Sequence, residues 1–178
     1  MTMYKQAGLG SNVLARRLGS DVYEFLKQAN NNDDFLTDYE YMKDNVKNSA
    51  QGWQLSDYAP LLLPLVKYYE NSLWHICENI GLFQDINNGK RPYSLRNFFD
   101  TKEIEIENLL ASKIQDQKQA KIVSRKLFST IDDYSQRNEV VHCGQLIKYA
   151  ELDNYDSLIT KLKELVDCLF LNNVIQKN

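Results

Sequence analysis

The stretch "PLLLPLVKYYENSLWHICENIG", residues 60–81, decides the fold class. Leu61, Leu65, Tyr69, Leu73, Ile76 and Ile80, with Phe83 just beyond, recur at spacings of three and four and so form one apolar stripe on a helix. Pro60 or Pro64 belongs in its first turn, where the missing amide is tolerated, and Gly81 is a natural terminator. This is the longest and most apolar helix of the chain, and the others are expected to pack around it.

Working outward, Leu14, Leu18, Val22, Phe25, Leu26 and Ala29 mark an earlier helix that ends in the polar run "NNNDD". Asp33 or Asp34 is placed to cap a second helix carrying Phe35, Tyr39, Met42 and Val46. Downstream, "QDINNGKRPYS" is the strongest loop signal, and "EIEIENLL" alternates like a strand but has no partner strand, so it reads as loop or irregular helix. From about Asp116 a helix carries Ala120, Val123, Leu127, Ile131 and Tyr134, and from about Asn154 a last one carries Leu158, Leu162, Leu165, Val166 and Leu169. The expectation is an all-α bundle of about five helices.

A chain of 178 residues with 43% hydrophobic and 25% charged residues fits a single globular domain. The opening "MTMYKQAGLGSNVLARRLGSDVYEF" supports neither a signal peptide nor a membrane helix, and the three cysteines, Cys77, Cys143 and Cys168, read as reduced thiols. A cytoplasmic location follows as an expectation. Net charge is −3, so no nucleic-acid partner is announced by bulk electrostatics. Cations do gather locally, in "NNGKRPYSLRN" (Lys90, Arg91, Arg96) and in "KQAKIVSRK" (Lys118, Lys121, Arg125, Lys126). Taken alone, each cluster is most simply a solvated face.

The segment "YSQRNEVVHCGQ", residues 134–145, sets Arg137 five positions before His142, one of the chain's two histidines. Histidine titrates near neutrality and suits proton transfer, while arginine stays charged and grips phosphate with a planar fork. On an unbroken helix, residues five apart are rotated by about 140°, so the two would not share a face. They converge if the helix breaks between them with Asn138 as a new cap, or if a symmetric dimer brings two copies of the pair into one cleft. On the long third helix, Lys67 and Glu70 lie three apart and hence on the same side. Facing His142, Glu70 would orient the imidazole or raise its basicity.

Other chemistry is poorly supported. His75, Cys77, His142 and Cys143 supply nitrogen and sulfur, but positions one or two apart on a helix diverge by about 100° to 200°, so no zinc site is expected. There is no glycine-rich phosphate loop, serine elbow or paired-carboxylate motif. Trp74, Tyr68 and Tyr134 read as core aromatics before base-stacking surfaces.

"RNEVVH" matches the R-N-x-x-x-H signature of HEPN domains, small helical bundles found in many prokaryotic toxin, phage-defence and CRISPR-associated ribonucleases. More widely, "LGSDVYEFL" followed by "LSDYAPLLLPLVKYYENSL" is similar to the run leading into the HEPN domain of RnlA-type toxins, the RNase LS family. The likeness spans roughly residues 15 to 145 at low identity. It implies one HEPN-like domain over residues 1–178, with N-terminal helices over 1–55 packed on a core over 56–178. It also implies a metal-independent endoribonuclease with no cofactor, acting as a homodimer on an RNA substrate and restrained by an antitoxin or inhibitor protein. The family's site falls on Lys67, Glu70, Arg137 and His142, with Lys67 where arginine is usual. HepT toxins, another HEPN branch, carry tyrosine two residues after the histidine; Gly144 stands there and argues against that branch. The resemblance does not extend to the additional N-terminal domains of full-length RnlA toxins, and it fits a minimal member, an excised domain or one part of a multi-protein system alike. A non-catalytic HEPN module that binds RNA or protein is the alternative expectation.

Overall fold

A computed structural model describes residues 15–48, 58–142, 147 and 152–177, with the backbone alone for 46–48, 135–142, 152–153 and 156. The described residues are all-α and contain no strand. In chain order the helices are α1 (Ser20–Leu26), α2 (Asn32–Asn48), α3 (Ala59–Ile80), α4 (Leu82–Ile86), α5 (Leu95–Thr101), α6 (Glu103–Lys113), α7 (Gln117–His142) and α8 (Leu152–Leu171). That exceeds the five expected, because the segments between the long helices fold into short ones instead of loops.

Helix α3 is the axis of the bundle. Leu61, Leu65, Tyr69, Leu73, Ile76 and Ile80 are buried as the stripe predicts, and so are Leu62, Val66, Tyr68, Ser72 and Cys77, because α2 packs on one side and α7 and α8 on the other. Pro60 occupies the first turn, while Pro64 lies one turn further in, where the helix forgoes one backbone bond. Gly81 ends the helix at φ 86°, a left-handed conformation that a Cβ would strain, and its amide donates to the Glu78 carbonyl at 2.9 Å. Phe83 therefore sits beyond the helix, on α4, and still reaches the core.

The expected first helix is interrupted. Residues 15–18 are helical, Gly19 departs at φ 81°, and α1 then carries Val22, Phe25 and Leu26 into the core. Helix α2 begins at Asn32, one residue before the expected caps, so Asp33 and Asp34 fall in its first turn, where carboxylates are favourable. Asn32 itself is buried; its amide donates to the Leu26 carbonyl at 3.0 Å and to the Ser72 hydroxyl at 2.8 Å, tying α1, α2 and α3 together.

The "EIEIENLL" segment is the regular helix α6. Ile106 and Leu110, four apart, are buried against the core, whereas Ile104 is 70% exposed, so the helical period and not the two-residue alternation selects the buried residues. Asp116 then caps α7, its carboxylate accepting from the amides of Lys118 at 2.8 Å and Gln119 at 3.2 Å. Helix α7 buries Ala120, Val123, Leu127 and Ile131 and runs without a break to His142. The backbone shows no break between Arg137 and His142, so the new helix start expected at Asn138 is absent.

Candidate functional site

Of the four expected site residues, Lys67 and Glu70 are described with their side chains. They form the intrahelical pair their spacing predicts, Lys67 Nζ to Glu70 Oε2 at 2.9 Å, and both stay partly open to solvent. The carboxylate has a second neighbour. The Tyr134 phenol lies near it, and burial first, then the negative charge of Glu70, raise its pKa above the ordinary tyrosine value. Tyr69 fixes Tyr134 from the side: the rings stack at 6.1 Å and 23°, and the Tyr69 hydroxyl donates to the Thr130 carbonyl at 3.3 Å.

These contacts define how α3 and α7 lie. Tyr69 and Glu70 meet α7 at Thr130 and Tyr134, while Tyr58, at the start of α3, donates its amide to the carbonyl of Ile147, beyond the end of α7, at 3.0 Å. The two helices therefore run antiparallel. The side chains of Arg137 and His142 are outside the described residues, but their backbone is helical. In that helix the two positions are rotated by about 140° and separated by about 7.5 Å along the axis, on opposite shoulders of the line that faces α3. Tyr134 and residue 142, eight apart, are about 12 Å apart along the axis. Glu70, near Tyr134, is thus far from residue 142 of the same chain.

The aromatics set aside as core are mostly that. Tyr68 is 2% exposed. Trp74 packs against Phe83 at 5.5 Å, and the Arg91 guanidinium covers it at 5.3 Å. Tyr134 is the exception, since its phenol lies near the charged pair; the signal was its position one turn before Arg137. His75 lies on Phe25, with ring centroids at 4.7 Å, and burial chiefly holds its pKa below the usual value. The buried thiol of Cys77 is pushed up by burial. Among the described residues no three histidine, cysteine or acidic side chains gather as a metal would require.

The two basic segments differ. Arg91 pairs with Glu78 at 2.6 Å, and Arg96 pairs with Asp100 at 3.0 Å and with Asp132 of α7. Lys126 pairs with Glu164 at 3.0 Å, on the side of α7 where a groove of 660 Å³ separates it from α8. Lys118, Lys121 and Arg125 have no carboxylate partner among the described residues. Lys121 and Arg125 border a second groove, of 330 Å³, between α6 and α7. Neither groove includes Lys67 or Glu70.

No helix of the described residues is long and apolar enough to cross a membrane. No model of a known protein family, no curated protein and no solved structure matches the chain.

Proposed function

We propose that the chain is a metal-independent endoribonuclease of HEPN type, a toxin or anti-phage defence effector that cuts RNA through its own 2′-hydroxyl. The observation that supports it is the packing of α7 on α3, the helix that carries the exposed Lys67–Glu70 pair, with α7 helical through Arg137 and His142. In this reading Arg137 and Lys67 bind the phosphate, and His142 moves the proton. The 2′-oxygen bonds to phosphorus as its proton passes to a base, and the bond to the 5′-oxygen breaks as an acid protonates it. The products are a 2′,3′-cyclic phosphate and a 5′-hydroxyl.

An unbroken α7 favours the homodimer as the way to assemble this site. Two antiparallel copies around a two-fold axis supply two imidazoles, one for the base and one for the acid, and bring Glu70 of one copy toward His142 of the other. Lysine at position 67 is a point charge without a bidentate fork, and Glu70 already holds it, so it assists Arg137 in gripping phosphate rather than replacing it. An enzyme of this kind requires restraint, which an antitoxin or inhibitor protein provides.

The test is cleavage of labelled RNA by the wild-type chain beside His142→Ala and Arg137→Ala, each expected to lose activity by about a hundredfold or more. Equal cutting by all three overturns the reading. A second reading, a non-catalytic HEPN module for RNA or protein binding, is favoured by the Lys67–Glu70 pairing and the net charge of −3. Expression separates the two: toxicity that disappears with His142→Ala belongs to the nuclease, and partner binding without toxicity belongs to the module.

A further inference from the structure

Most described cations of this chain are neutralised. Arg17, Lys27, Lys67, Arg91, Arg96, Lys102, Lys113, Lys126, Lys161, Lys163 and Lys177 each have a carboxylate within ion-pair distance. Arg16 and Lys90 are likewise unpaired among the described residues, but Lys118, Lys121 and Arg125 are unpaired and also fall at i, i+3 and i+7 of one helix. That spacing puts all three on one exposed ridge, with successive steps of about 4.5 and 6 Å along the axis. Lys118 also runs against helix electrostatics, because a cation in the first turn opposes the macrodipole and α7 carries no acidic residue there. Asp116 caps the amides of Lys118 and Gln119 alone, and the ridge side chains add their charge to the positive field left at the helix start.

Beside the ridge lies the 330 Å³ groove, at the lower end of the usual small-ligand range of about 300–1,000 Å³. Its walls bring Gln117, Asn108 and Ser124 next to Lys121 and Arg125, with a single carboxylate, Glu107, which accepts from the Ser124 hydroxyl at 3.4 Å. These are donors suited to phosphate and ribose oxygens. A protein interface would centre on a buried aromatic or large aliphatic anchor, and this groove has none.

We infer that Lys118, Lys121 and Arg125 form a phosphate-binding track for single-stranded RNA, remote from Arg137 and His142 on the same helix. The inference rests on the RNA-directed reading above and adds where the strand runs. Lys121 and residue 137 are separated by about 24 Å along α7, so only an RNA of several nucleotides engages both.

The experiment measures binding, independently of cutting, in the His142→Ala chain. The probe is a labelled single-stranded RNA of about 20 nucleotides, titrated between roughly 50 and 200 mM salt. Replacing Lys118, Lys121 and Arg125 together with glutamine is expected to reduce the slope of log affinity against log salt by about 2, since each lost contact on single strands removes about 0.7. Lys126→Gln, which removes a paired cation of the same segment, leaves the slope unchanged. An unaltered slope in the triple variant overturns the track, as does ridge-dependent binding of poly-glutamate with no binding of RNA. If the wild type fails to cut while RNA binding depends on the ridge, the nuclease reading falls and the track stands. If cutting depends on His142 and the triple variant binds RNA normally, the track falls and the nuclease stands.

Discussion

Around the loop before α5 the guanidinium of Arg91 is held by Glu78 of α3, and that of Arg96 by Asp100 beside it and Asp132 of α7; along the first turns of α7, Lys118, Lys121 and Arg125 lack such partners among the described residues. The two segments have similar composition, but in the first only Lys90 lacks a carboxylate among the described residues, and in the second only Lys126 has one. In the first, charge cements packing: Arg91 also covers Trp74, whose ring leans on Phe83. In the second, charge is left available. The segments are also neighbours, because Asp132 lies seven residues after Arg125 and so on nearly the same face of α7, and Arg96 closes over it. A local excess of lysine and arginine is therefore no guide to binding until its carboxylates are located.

The sharpest way to break this contrast is through the packed side. Trp74→Ala is expected to lower stability by about 3 kcal/mol in urea unfolding, the low end for a large aromatic because the ring is only partly buried. A loss well under 1 kcal/mol would mean that the first segment is no more anchored than the second. Arg91→Gln comes next, at about 1 kcal/mol, since a largely exposed ion pair and a cation over an indole each contribute only fractions of that. The third change converts one region toward the other. Asp100→Asn with Asp132→Asn removes two carboxylates beside the ridge, so RNA affinity is expected to rise about threefold. Unchanged binding would confine the track to α7.

The same contrast shows what the sequence could and could not reveal. The α3 stripe was legible because Leu61 to Ile80 repeat at the helical period and nothing else competes with it. Lys67 and Glu70 were legible as a pair because i,i+3 neighbours meet on any helix. Helix α6 was not, because Ile104 and Ile106 imitate a strand over too few residues for the period of Ile106 and Leu110 to show. Tyr134 reads as core in the sequence, and its approach to Glu70 depends on the packing of two helices some sixty residues apart in sequence, which no local pattern encodes. The availability of Lys121 and Arg125 is of the same kind, since it depends on where Glu78, Asp132 and Glu164 come to rest.

The smallest predicted effect is the most discriminating. Lys118 sits at the start of α7, without a partner carboxylate among the described residues, in the field of a helix end that favours negative charge. If it were there to support the fold, Lys118→Gln would cost stability. If it is retained for a polyanion, the substitution removes a mild repulsion, and stability should rise by about 0.3 kcal/mol while RNA binding weakens. Opposite signs in chemical unfolding and in RNA titration of one variant are a signature that no structural role for this lysine produces; a fall in both would move Lys118 to the side of Arg91, among the cations that hold the bundle together.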